Sequence, residues 1–70
     1  MRKFTAYVEF DEETNLYVGI VPGLPGAHTQ AETLDELNHN LKEVIELCLE
    51  EFGGSYFETS HFVGLQQIEI

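Results

Sequence analysis

The sequence predicts an α+β domain of element order β-β-β-α-β: an antiparallel sheet with one helix packed on one of its faces. Three observations predict it. Residues 3–10 alternate apolar and polar with period two. A Thr33-Leu34-Asp35-Glu36 capping box opens a stretch whose apolar residues recur at three and four. Short turn signals, not long linkers, separate the segments, so residues 1–70 read as a single domain.

In the first strand, Phe4, Ala6, Val8 and Phe10 share one face and Lys3, Thr5, Tyr7 and Glu9 the other. Residues 11–15, all polar, make a turn into a second strand at 16–22, and the short connection implies an antiparallel hairpin. Leu16, Val18 and Ile20 are expected on the helix-packed face of that strand. The run Pro22-Gly23-Leu24-Pro25-Gly26 ends it, because proline cannot donate to a ladder and glycine supplies turn angles. Residues 27–30 suit a short third strand. The helix is expected over 34–52, with Leu34, Leu37, Leu41, Val44, Ile45, Cys48 and Phe52 on its buried stripe and Gly53-Gly54 beyond its end. A last strand is expected over 62–70, its alternation breaking at Gln66-Gln67.

Three basic residues against thirteen acidic ones give a formal net charge of −10. That argues against direct nucleic-acid binding and against anionic membranes, since both need clustered Lys and Arg, and it favours a basic partner. The chain lacks both an apolar run of membrane-spanning length and the apolar segment of a secretory signal, and its one cysteine allows no internal disulfide. A cytoplasmic protein is expected. Scaling by mass gives a folded surface of roughly 4,500 Å² against about 11,600 Å² unfolded, so about 60% would be buried. Such burial is worth about 105 kcal/mol, close to the ordering cost of about 105 kcal/mol. A core this marginal gains from self-association, and a homo-oligomer is expected.

No cofactor and no catalytic residue is expected. His28, His39 and His61 have no ligand partner at a metal-site spacing, and Cys48 falls on the apolar stripe of the helix, where it reads as a small core hydrophobe. Glu9, Asp11, Glu12 and Glu13 crowd the hairpin turn; they read as a solvated turn, with a divalent-cation site for hydrolysis as the rival reading. The Pro-Gly run lacks the Lys-Ser/Thr ending of a phosphate loop.

Two surfaces remain. Glu36, Glu43, Glu46 and Glu50 fall on the outer helix face, with Lys42 the one base nearby. Glu46 and Glu50 repel at i,i+4, and Glu50 and Glu51 occupy the last turn, where the helix dipole disfavours anions. The face reads either as a docking surface for a cationic partner or as a solubilising surface. Pro22, Leu24 and Pro25 add a rigid loop that a partner can meet at little ordering cost, with His28 beside it. Tyr7, Tyr17 and Val21, expected to point away from the helix, and Leu47, off the helix stripe, are candidate oligomer contacts.

The runs Leu16-Tyr17-Val18-Gly19-Ile20-Val21-Pro22-Gly23-Leu24-Pro25-Gly26-Ala27-His28-Thr29-Gln30, Thr33-Leu34-Asp35-Glu36-Leu37 and Asn40-Leu41-Lys42-Glu43-Val44-Ile45-Glu46-Leu47 resemble the HicB family of antitoxins over about residues 16–51. Ala27 stands where that family usually has Cys, and Ala31 where Gly is common; both are small replacements. The resemblance implies a degraded, non-catalytic ribonuclease-H-like domain. It also implies a partner: a small basic mRNA-cleaving toxin of the HicA type, inhibited by covering its catalytic His. Many members carry a further DNA-binding domain. With the last strand reaching Ile70, none is expected here.

The functional expectation is therefore a self-associating antitoxin that occludes a cationic ribonuclease. The rivals are an orphan homo-oligomeric structural or regulatory module and, third, a metal-dependent hydrolase built on the turn carboxylates.

Overall fold

The computed structural model describes residues 3–51 and 63–70. Three strands, β1 (Tyr7–Asp11), β2 (Leu16–Ile20) and β3 (His28–Ala31), precede one helix, α1 (Leu34–Glu51). The strands form an antiparallel meander in the order β1-β2-β3. The α+β class and the β-β-β-α order agree with expectation. Phe62 of the expected last strand lies outside the described residues, as do Phe52, Gly53, Gly54 and His61. Residues 63–70 form no strand, so among the described residues the expected last strand is absent.

The register decides which side chains share a face, since directly paired residues point the same way. Val8 pairs with Gly19 and Gly19 with Thr29, while Phe10 pairs with Tyr17 and Tyr17 with Ala31. This face carries the helix. An added Cβ at Gly19 would stand 3.0 Å from Leu41 Cδ1, so glycine is what lets the helix approach β2 so closely. The second strand is thus turned over relative to the sequence expectation: Tyr17, Gly19 and Val21 face the helix, and Leu16, Val18 and Ile20 face away. Alternation told the two faces apart but pointed to the more apolar one, whereas the helix packs where Gly19 leaves room for Leu41.

Val21, Leu24, Ala27, Ala31, Leu37, Leu41 and Cys48 make the core, with Phe4, Ala6, Tyr17, Val44, Ile45 and Leu49 packed around it. Phe4 and Ala6 precede β1 yet still reach the core. The helix lies over β3 and β2 and does not reach β1. Val8 and Phe10 are therefore on the helix side but about half exposed, and Phe10 instead meets the Tyr17 ring edge-on at 5.0 Å. Leu34, expected on the buried stripe, is exposed at the helix start.

The local chemistry matches the capping signals. Thr33 Oγ1 accepts the Glu36 amide at 3.1 Å and the Leu37 amide bonds the Thr33 carbonyl at 2.9 Å. At the hairpin, Asp11 Oδ1 accepts the Glu13 amide at 3.0 Å, Asp11 Oδ2 accepts the Thr14 hydroxyl at 3.1 Å, and Asn15 takes the left-handed conformation at φ 60°.

Candidate functional site

The Pro-Gly run is a double turn. The Leu24 amide donates to the Val21 carbonyl at 3.3 Å and the Ala27 amide to the Leu24 carbonyl at 3.1 Å. Each turn has proline second and glycine third, with φ of 87° at Gly23 and 82° at Gly26, the pattern of a type II turn. The Val21 amide closes the pair by donating to the Ala27 carbonyl at 2.9 Å. The hinge residues Val21, Leu24 and Ala27 all point inward, and Pro22, Gly23, Pro25 and Gly26 form an exposed rim. Leu24, at 2% exposure, is a core anchor of the loop and no contact for a partner. Val21, at 4%, is likewise core, not an oligomer contact, and half-buried Tyr17 lies on the helix side. A signal for this was present in the sequence: apolar residues at every third position, separated by two Pro-Gly pairs, suit two linked turns.

Cys48 is buried and its Sγ donates to the Pro25 carbonyl at 3.5 Å. That bond sets the last turn of α1 beside the Pro-Gly rim. Glu50 and Glu51 therefore stand at the same end of the molecule as Pro22 and Pro25, and the last turn holds no basic residue. Glu36 is at the far end of the helix, about 21 Å away along its axis. Glu36, Glu43, Glu46 and Glu50 are all exposed, and successive spacings of seven, three and four keep them on one face. His39 Nε2 lies 3.1 Å from Glu43 Oε1 across one exposed helical turn. Leu47 borders this face and is 64% exposed. Asn40, on its β3 side, donates from Nδ2 to the Gln30 carbonyl at 3.4 Å.

On the face of the sheet away from the helix, pairing sets Tyr7, Ile20 and His28 in one rung and Glu9, Val18 and Gln30 in the next. Tyr7 and exposed His28 thus meet at Ile20, which is exposed here and not on the helix-packed face that alternation suggests. The turn carboxylates do not converge: Asp11 is engaged within its own turn, and Glu9 belongs to the open sheet face. Among the described residues no group of three His, Cys, Asp or Glu side chains is placed to hold a metal ion, and no helix is long and apolar enough to cross a membrane.

The fold and surface define a small acidic α+β module whose distinctive parts are a double Pro-Gly turn, an acidic helix face and a partly apolar open sheet. Known proteins place it further. The chain is 49% identical over 67 residues to a UPF0150 protein of Thermotoga maritima, covering 96% of this chain and 88% of that one. It is 47% identical over 68 residues to a UPF0150 protein of Archaeoglobus fulgidus, covering 97% and 94%. It is 44% identical over 69 residues to a UPF0150 protein of Synechocystis, covering 99% and 96%. The chain belongs to the UPF0150 family. No family model matches it, and no solved structure matches it. The relatives' names specify neither a reaction nor a partner.

Proposed function

We propose that the chain is a cytoplasmic, non-catalytic binding module of the HicB antitoxin type. It self-associates and occludes a small basic mRNA-cleaving toxin of the HicA type. The observation that carries the reading is the acidic helix face: four exposed glutamates on one side of α1, with no base in the last turn beside the Pro-Gly rim. A helix selected for stability alone would place Lys or Arg there. A cationic partner converts that local cost into complementarity and faster encounter. Pro22 and Pro25, held by the double turn, add a surface of fixed shape at the same end, so a partner gripping Glu50 meets a loop that loses little entropy. Direct nucleic-acid binding is no part of the proposal, given a formal net charge of −10.

Titration calorimetry of the full chain against a co-encoded basic ribonuclease tests it. Affinity is expected to fall steeply between low and high salt, and the combined E43Q, E46Q and E50Q variant to bind at least tenfold more weakly with its helix content unchanged. Absence of binding, or binding indifferent to both salt and the glutamates, overturns the reading.

A further inference from the structure

Phe10, Tyr17 and Ala31 form the last rung on the helix side of the sheet, next to the hairpin turn. Cover falls off along it: Ala31 is buried, Tyr17 is half-buried and Phe10 is 49% exposed. The Phe10 and Tyr17 rings meet edge-on at 5.0 Å with 61° between their planes. The helix α1 begins three residues after Ala31, at this same end, and Leu34 in its first turn is 51% exposed. An aromatic pair thus stands half in water where the hairpin and the helix start come together.

The charge at this end has one sign. Residues 4–41 hold seven acids and no Lys or Arg. Exposed Glu12 and Glu13 occupy the adjoining turn, and exposed Glu32 follows Ala31. Exposed Asp35 lies seven residues before Lys42, on the flank of α1 that looks toward β1. Of the remaining acids here, Glu36 belongs to the outer helix face, Asp11 is engaged in its own turn, and Glu9 lies on the opposite sheet face. The three bases of the sequence are elsewhere. Arg2 and Lys3 precede β1, and Lys42 stands about 10 Å along the helix axis from Asp35. Residues 43–70 hold no Lys or Arg, so no later residue of the sequence can bring such a cation to Phe10.

We infer that this end of the sheet seats an arginine side chain of the cationic partner, its guanidinium stacked on the Phe10 ring and paired with the exposed carboxylates beside it. The inference rests on the cationic partner of the proposed function. It adds a contact at the end of α1 remote from Glu50 and the Pro-Gly rim.

Charge and chemistry select this occupant. A second copy of the chain would bring the same acids to meet these. An apolar partner would take Glu32 and Asp35 out of water without a counter-charge. A cationic side chain with a planar head meets both features. Guanidinium is weakly hydrated, stacks on an aromatic face and keeps N–H donors for a carboxylate, whereas the Lys ammonium is a strongly hydrated point charge. Asp35 and Glu36 in the first turn already offset the positive end of the helix dipole, so that end does not bar a cation.

NMR titration of the full chain at low salt with end-blocked tri-arginine and tri-lysine peptides tests this. Tri-arginine is expected to shift the ring signals of Phe10 and Tyr17 and to bind about twofold to fivefold more tightly than tri-lysine. F10L is expected to abolish that preference while leaving the tri-lysine affinity and the circular dichroism spectrum unchanged. E32Q/D35N, which alters exposed side chains alone, is expected to weaken tri-arginine as well. Equal affinity for the two peptides, a preference that survives F10L, a tri-arginine affinity indifferent to E32Q/D35N, or shifts confined to Glu43, Glu46 and Glu50 each overturns the inference. Calorimetry against the co-encoded basic ribonuclease separates the two readings. Binding that E43Q/E46Q/E50Q weakens and F10L leaves alone overturns the arginine seat and leaves the acidic-face reading standing. A ribonuclease that does not bind, with the tri-arginine preference intact, overturns the acidic-face reading and leaves the seat.

Discussion

The two flanks of the helix differ. On the β3 side, Leu37, Cys48, Ala27 and Ala31 close against one another, Cys48 bonds the Pro25 carbonyl, and Asn40 bonds the Gln30 carbonyl. On the β1 side, Ile45 and Leu49 overhang a groove, and Val8 and Phe10 remain about half exposed although they face the helix. The difference teaches where the described residues close on one another and where they leave apolar side chains exposed. The closed flank is secured by burial and hydrogen bonds within one chain. On the open flank, Val8 and Phe10 are about half exposed and apolar side chains of α1 border a groove.

Substitutions separate the flanks by size of effect, measured by urea denaturation in dilute solution. The largest loss is expected at the closed flank. Leu37 is fully buried, and Leu37→Ala should cost about 2–5 kcal/mol through lost burial and a residual cavity. An unchanged midpoint would show that the closed flank is not the stabilising one. Gly19→Val comes next. Its Cβ falls 3.0 Å from buried Leu41, so the helix must lift from β2, at about 1–3 kcal/mol.

Gly26→Ala tests the double turn. An added Cβ there meets Cys48 Sγ at an ordinary 3.9 Å, so the expected loss of about 1–2 kcal/mol comes from the backbone at φ 82° and not from a clash. Gly26→Asn, which tolerates that conformation better, should lose less, and the ordering of the two variants is the check. Thr33→Ala removes the cap on the Glu36 amide and should cost about 1 kcal/mol, with Thr33→Ser recovering most of it. The smallest effect is expected outside the closed flank. Ile68→Ser, at a side chain 77% exposed, should change stability by less than about 0.5 kcal/mol. A large loss of single-chain stability there would mean that residue 68 already belongs to a closed core.

Much of this pattern was legible in the residues. Thr33 and Glu36 marked the helix start, Leu37, Leu41 and Cys48 its buried stripe, and residues 11–15 the hairpin turn. The acidic face followed from helical spacing alone. What misled was β2, where Leu16, Val18 and Ile20 are more apolar than Tyr17, Gly19 and Val21, so hydropathy favoured the face that points away from the helix, whereas the close approach of Leu41 to Gly19 decided the other. Leu24 misled for a related reason: loop residues are usually exposed, and nothing local says that a double turn points its hinges inward. At the last segment, alternation pointed to a strand that residues 63–70 do not form.

By itself the sequence determined what is local: where the helix begins, which residues share a face, where turns fall and how the charge is distributed. These follow from backbone geometry and from interactions between residues a few positions apart. The tertiary structure decided which sheet face lies inside, that Pro25 meets Cys48 from 23 positions away, and that the helix covers β3 and β2 while leaving β1 open. Those outcomes depend on how closely two surfaces approach. At Gly19 it is a missing Cβ that sets the approach, and its consequence is visible only when Leu41 is seen lying above it.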